Sequence, residues 1–72
     1  MSYWINQNLT HLERCRKQLG LSQENLSQLS GVAQSTISRI ESGKIMPGLH
    51  TLMILADVMG ISVHELIKDG GK

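Results

Sequence analysis

Apolar side chains return along this chain at intervals of three and four residues, the period of helices with one face turned inward. Leu9, Leu12, Cys15 and Leu19 form the first stripe, and a helix from about Asn8 to Leu19, stopped by Gly20, is expected. A second pattern, Leu26 and Leu29, follows Ser22, whose hydroxyl can accept from the free N–H groups of a first helical turn. Gly31 stands where a helix ends in a left-handed residue, a conformation that glycine reaches without steric penalty. Val32 then drops inward, and a third helix is expected from about Gln34 to Glu41, with Ile37 and Ile40 on its apolar side. Ser42-Gly43 closes it, and Lys44 to Gly48 form a loop stiffened by Pro47.

A fourth helix should cover Leu49 to Met59, ended by Gly60, with Leu49, Leu52, Leu55, Ala56 and Met59 facing the core. Ser62-Val63-His64-Glu65 has the spacing of a capping box and opens a short fifth helix, with Leu66 inward and Ile67 partly so. The pattern predicts an all-α fold, a compact five-helix bundle over residues 8–68, with an N-terminal arm at 1–7 and a tail at 69–72.

Seventy-two residues make one small domain, and a chain of this size buries only about 60% of its unfolded surface. With one Trp, one Tyr and no Phe, its core must be aliphatic. Both aromatics lie in the arm, where Trp4 with Ile5 is expected to cover a corner of the core rather than stack on a base. Apolar runs are too short for a membrane span and no secretory signal is visible, so a cytoplasmic protein is expected. A single cysteine excludes an internal disulfide, and Cys15, on the apolar stripe, reads as a small buried hydrophobe rather than a nucleophile.

His11, His50 and His64 lack metal-ligand spacing, and there is no glycine-rich phosphate loop. Neither a metal, nor a cofactor, nor a small-molecule effector, nor an enzymatic activity is expected. Formal net charge is only +1, so a polyanionic partner would require the basic residues to gather on one face.

The third helix carries the most informative surface. At about 100° per residue, Ser35, Ser38 and Arg39 fall opposite Ile37 and Ile40, and Gln34 sits at the exposed start. So short a helix is not stable alone. It must be held by its neighbours while a face of hydrogen-bonding groups and one guanidinium meets a partner, which is the logic of a helix-turn-helix entering the DNA major groove.

GLSQE at 20–24, STISRIESGK at 35–44, Pro47 and ADVMGIS at 56–62 carry a resemblance that extends over residues 9 to 67. In these stretches the chain resembles the helix-turn-helix family of phage repressors, Cro proteins and restriction–modification controller proteins. The resemblance implies a lambda-repressor-like domain that binds double-stranded DNA. It places Gln34, Ser35, Ser38 and Arg39 on the base-reading face and Lys44 on a phosphate. It also pairs Arg16 of the first helix with Glu41 at the end of the recognition helix, as an internal brace.

Side-chain chemistry agrees with those roles. Gln can bond adenine and Arg guanine in two-point fashion, so Gln34 and Arg39 are the principal base readers, with Ser35 and Ser38 as shorter contacts. Gln23 opens a helix whose free N–H groups favour a phosphate, and Thr36 is a third backbone-contacting candidate beside Lys44. Arg16 lies next to the apolar stripe and Glu41 near the core edge, where charges need partners. One departure is Ala33, which stands where relatives usually carry Ser, Thr or Asp to cap the recognition helix.

Ile54 and Val58 are neighbours on the fourth helix, on the side away from the expected core face. With the loop residues Ile45 and Met46, and Ile67 beside them, they are the expected interface of a homodimer on a pseudo-palindromic operator. Repression by occluding a promoter is the default expectation, since no activation segment is visible. An antitoxin, or a protein-binding adaptor built on the same fold, is the alternative.

Overall fold

The structure is a computed structural model that describes residues 9–67. The arm at 1–7, with the expected packing of Trp4 and Ile5, lies outside the described residues, as do Asn8, Lys68 and the tail. Five helices follow in order: α1 Leu12–Gln18, α2 Gln23–Ser30, α3 Gln34–Glu41, α4 Leu49–Met59 and α5 Val63–Leu66. The fold is all-α.

Local chemistry sets most of these bounds. Ser22 Oγ accepts from the Asn25 N–H while Asn25 Oδ1 accepts from the Ser22 N–H, a reciprocal cap that starts α2. Ser62 and Glu65 repeat the arrangement at α5. Gly31 ends α2 with φ +77°, a left-handed conformation that any side chain would strain.

The first helix is shorter than its apolar stripe suggested. It begins at Leu12, because Thr10 and His11 are bonded to the far end of the domain instead. Thr10 forms an isolated antiparallel bridge with Ile67, and the His11 N–H donates to the Leu66 carbonyl at 2.7 Å. Leu9 therefore leaves the stripe and is exposed. Leu19, just past the last turn, is exposed as well.

The core is aliphatic. Leu12 and Cys15 of α1, Leu26 of α2, and Ile37 and Ile40 of α3 meet Leu52, Leu55, Ala56 and Met59 of α4 and Leu66 of α5. α2 packs on both α3 and α4, α1 on α3, and α5 on α4, so α3 is held by α1 and α2. Two further residues expected in the core lie outside. Leu29 is 61% exposed and Leu49 64% exposed, because each sits at an open end of its helix, on the flank of the buried arc. Val58, expected on the outer side of α4, instead packs partly against the core from the opposite flank, as does Ile67.

Candidate nucleic-acid interface

α3 divides cleanly into two sides. Ile37 and Ile40 are fully buried, whereas Gln34, Ser35, Ser38 and Arg39 are all exposed, and Thr36 is half-buried between them. The four exposed residues form one row of amide, hydroxyl and guanidinium groups. These are the groups that reach base edges, and Gln and Arg have the two-point geometry that distinguishes one base pair from another.

The start of this helix is weakly held. Ala33 occupies the N-cap with φ −58° and ψ 140°, and no side chain caps the first turn. Its end is firmly held. Gly43 turns left-handed at φ +80°, which lets its own N–H reach the Ile40 carbonyl at 3.1 Å and the Lys44 N–H reach the Arg39 carbonyl at 2.9 Å. This paired closure satisfies carbonyls that the last turn would otherwise leave open. It also fixes where Lys44 leaves the helix, exposed and immediately beyond Arg39.

Behind α3 lies a buried charge network. Arg16 is 7% exposed and Glu41 9% exposed. The Arg16 guanidinium donates from Nε to Glu41 Oε2 at 2.7 Å and from Nη2 to Oε1 at 2.9 Å. Its Nη1 donates to the Leu21 carbonyl at 2.7 Å. Hydrogen bonding to Glu41 holds the Arg16 guanidinium above its ordinary range, outweighing the burial that opposes its charge. A planar, two-point pair of this kind fixes angle as well as distance, so α1 sets the orientation of the end of α3.

Gln23 joins the same network. Its Nε2 donates to Glu41 Oε1 at 2.9 Å, linking the first residue of α2 to the last of α3. That link was not visible in the sequence, because it depends on how α2 and α3 cross. With the side-chain amide so engaged, a phosphate at the start of α2 would be met by backbone N–H groups, that of Gln23 among them, rather than by its side chain. Among the described residues no buried side-chain nitrogen or oxygen is left without a partner.

Of the apolar positions expected at an interface, Ile45 and Met46 are exposed in the loop and Ile54 is half-buried. Val58 and Ile67 are partly consumed by the protein's own core. Met53, 53% exposed on α4, joins Ile54 on the surface and was not anticipated. No group of His, Cys, Asp and Glu among the described residues could hold a metal ion. No helix among them is long and apolar enough to cross a membrane.

Two short helices joined at a left-handed glycine, the second with a buried apolar side and an open polar one, define a helix-turn-helix of the DNA-binding kind. The chain belongs to the family described as "Helix-turn-helix", whose model matches residues 12–66. It is 41% identical over 61 residues to the HTH-type transcriptional regulator PuuR of Escherichia coli (strain K12), an alignment covering 85% of this chain and 33% of that protein. It is 51% identical over 45 residues to an HTH-type transcriptional regulator of Haemophilus influenzae, covering 62% of this chain and 46% of the relative. The chain thus spans between a third and a half of these relatives. Among solved structures it resembles the restriction-modification controller protein C.AhdI from Aeromonas hydrophila, with a TM-score of 0.73, 34% identity, and coverage of 76% of this chain and 83% of that one.

Proposed function

We propose that this protein is a sequence-specific transcriptional regulator that binds a pseudo-palindromic DNA operator as a homodimer and represses by occluding a promoter. The observation that carries the reading is the exposed row Gln34, Ser35, Ser38 and Arg39 on a helix whose far end is clamped from behind by Arg16 and Glu41. A readout surface must be held to a fraction of an ångström, and a buried two-point ion pair is suited to that task. Gln34 and Arg39 read bases, Ser35 and Ser38 add shorter contacts, and Gln23, Thr36 and Lys44 position the domain on phosphates. The near-neutral net charge of +1 implies that affinity rests on these few placed contacts rather than on a broad basic field.

A single recognition helix reads only a few base pairs, so useful specificity needs two copies about one helical turn apart. Ile54, Ile45 and Met46 supply the exposed apolar contact between copies, with Val58 and Ile67 at its margin. Selection of bound sequences from a random DNA pool tests the whole reading. The expected outcome is an inverted repeat with half-sites about 10 base pairs apart; recovery of no common sequence would reject it.

A further inference from the structure

The outer face of α4 is complementary to its own reverse: opposite chemistry stands at equal distances on either side of its midpoint. His50, Met53, Ile54 and Asp57 lie within about 100° of one another around the helix, opposite the arc of Leu52, Leu55 and Met59 that faces the core. A shallow groove of about 430 Å³ runs beside this face, floored by Ile61 and Val63. His50 and Asp57 are both exposed, two turns apart, and they are the titratable residues among the described ones that line the groove. Reading along the row gives a base, two apolar residues and an acid.

We infer that two copies of this chain pair through α4 in antiparallel register, with the two-fold axis passing between Met53 and Ile54, so that each copy's His50 meets the other copy's Asp57. The deduction rests on the homodimer proposed above and specifies its register. A two-fold contact brings each patch onto itself, so residue i meets residue j and j meets i. Pairing 50 with 57 and 53 with 54 satisfies that condition at all four positions at once. Met53 and Ile54 then pack in the centre, where water is excluded, and the two charge pairs sit at the rim. A parallel two-fold would set His50 against His50 and Asp57 against Asp57, and an antiparallel register one turn away would set His50 against an apolar residue.

The helix ends favour the same arrangement. Asp57 lies near the C-terminus of its own α4, where a negative charge is disfavoured, and antiparallel pairing brings it to the positive N-terminal end of the other copy's α4.

Charge exchange on the intact chain tests the register. Sedimentation at pH 5.5 would compare wild type, His50→Asp, Asp57→His and the double exchange, with circular dichroism confirming that each stays folded. Each single exchange places two like-charge pairs at the rim and should weaken association at pH 5.5 by about tenfold, and the double exchange should recover most of that loss. If wild type dimerises but both single exchanges are silent, α4 is not the interface, while the homodimer stands. If the single exchanges weaken association and the double does not recover it, the register is wrong. A wild type that stays monomeric at high concentration and on operator DNA removes the homodimer and the register together.

Discussion

Arg16 and Glu41, twenty-five positions apart, meet in a two-point ion pair with contacts of 2.7 and 2.9 Å beneath the helix that faces outward. Coulomb attraction alone does not make such a pair stabilising, because both charges must be taken out of water. Its contribution here is geometric: it fixes the angle at which α3 leaves the bundle. Removing one partner strands the other in a buried site. Arg16→Met or Glu41→Leu alone should each lose roughly 3–5 kcal/mol, while the double variant should lose much less than their sum. A double-mutant cycle in thermal unfolding measures this, and additive effects would show that the two residues act independently.

Alkaline conditions should probe the same pair. The folded arginine titrates above its ordinary range, because its bond to Glu41 outweighs burial. A group whose pKa is raised on folding contributes stability that is complete below its unfolded value and is lost only as pH climbs through the folded one. The brace should thus be insensitive to pH from the arginine side throughout the neutral range. In denaturant unfolding, the stability difference between wild type and Arg16→Met should stay constant between pH 7 and 9.

The exposed row on α3 should separate readout from affinity. Gln34→Ala or Arg39→Ala should each cost roughly 1–3 kcal/mol on the preferred site and relax selectivity at one base pair. Lys44→Ala should instead weaken all sequences about equally and reduce the salt slope by about one. Competition binding against operator variants at several salt concentrations distinguishes the two patterns. Unchanged selectivity in Arg39→Ala would mean that α3 is turned differently in the groove.

Ala33 is a place where the protein can be improved. It has extended backbone angles suited to an N-cap but offers no acceptor to the open N–H groups of α3. Ala33→Ser should stabilise the domain by about 1 kcal/mol, a rise of roughly 4–8 °C in Tm for a domain of this size. Calorimetry reads it directly. No rise would mean that the start of α3 is already satisfied by other means.

Ile54→Glu should weaken self-association without unfolding the monomer, since Ile54 lies off the aliphatic core. The two-fold contact makes one substitution act twice. Sedimentation with circular dichroism as the folding control decides it, and a mutant that dimerises as well as wild type would move the interface elsewhere.

The parts of this fold that can be read from sequence are those determined within one turn of chain. Ser22 and Ser62 cap helices with partners three residues on, and Gly31 and Gly60 end them, so α2 through α5 could be placed from local chemistry. Burial was harder. Leu29 and Leu49 have helical spacing with core residues yet stand in solvent, because spacing says which residues share a side and not how far the neighbouring helix extends over it. Leu9 was misplaced for a different reason: backbone pairing with the far end of the chain overrode a helical pattern. At the candidate interface, the Gln23 bond to Glu41 depends on the crossing of two helices, which no periodicity encodes.

The bridge between Thr10 and Ile67 has a consequence for the architecture of longer proteins. Paired backbones run about 4.7–4.9 Å apart, so a polypeptide that enters this module at Thr10 departs at Ile67 almost from the same point. Such a unit can be spliced into a host chain with little change in the distance between the flanking segments, and anything attached before it and after it is held side by side. The same clasp joins positions near the two ends of the described sequence, so its closure is expected late in folding, once the intervening helices have brought the ends together. Hydrogen exchange at the His11 amide, which donates across this clasp, would therefore report how often the module opens from its seam rather than from its core.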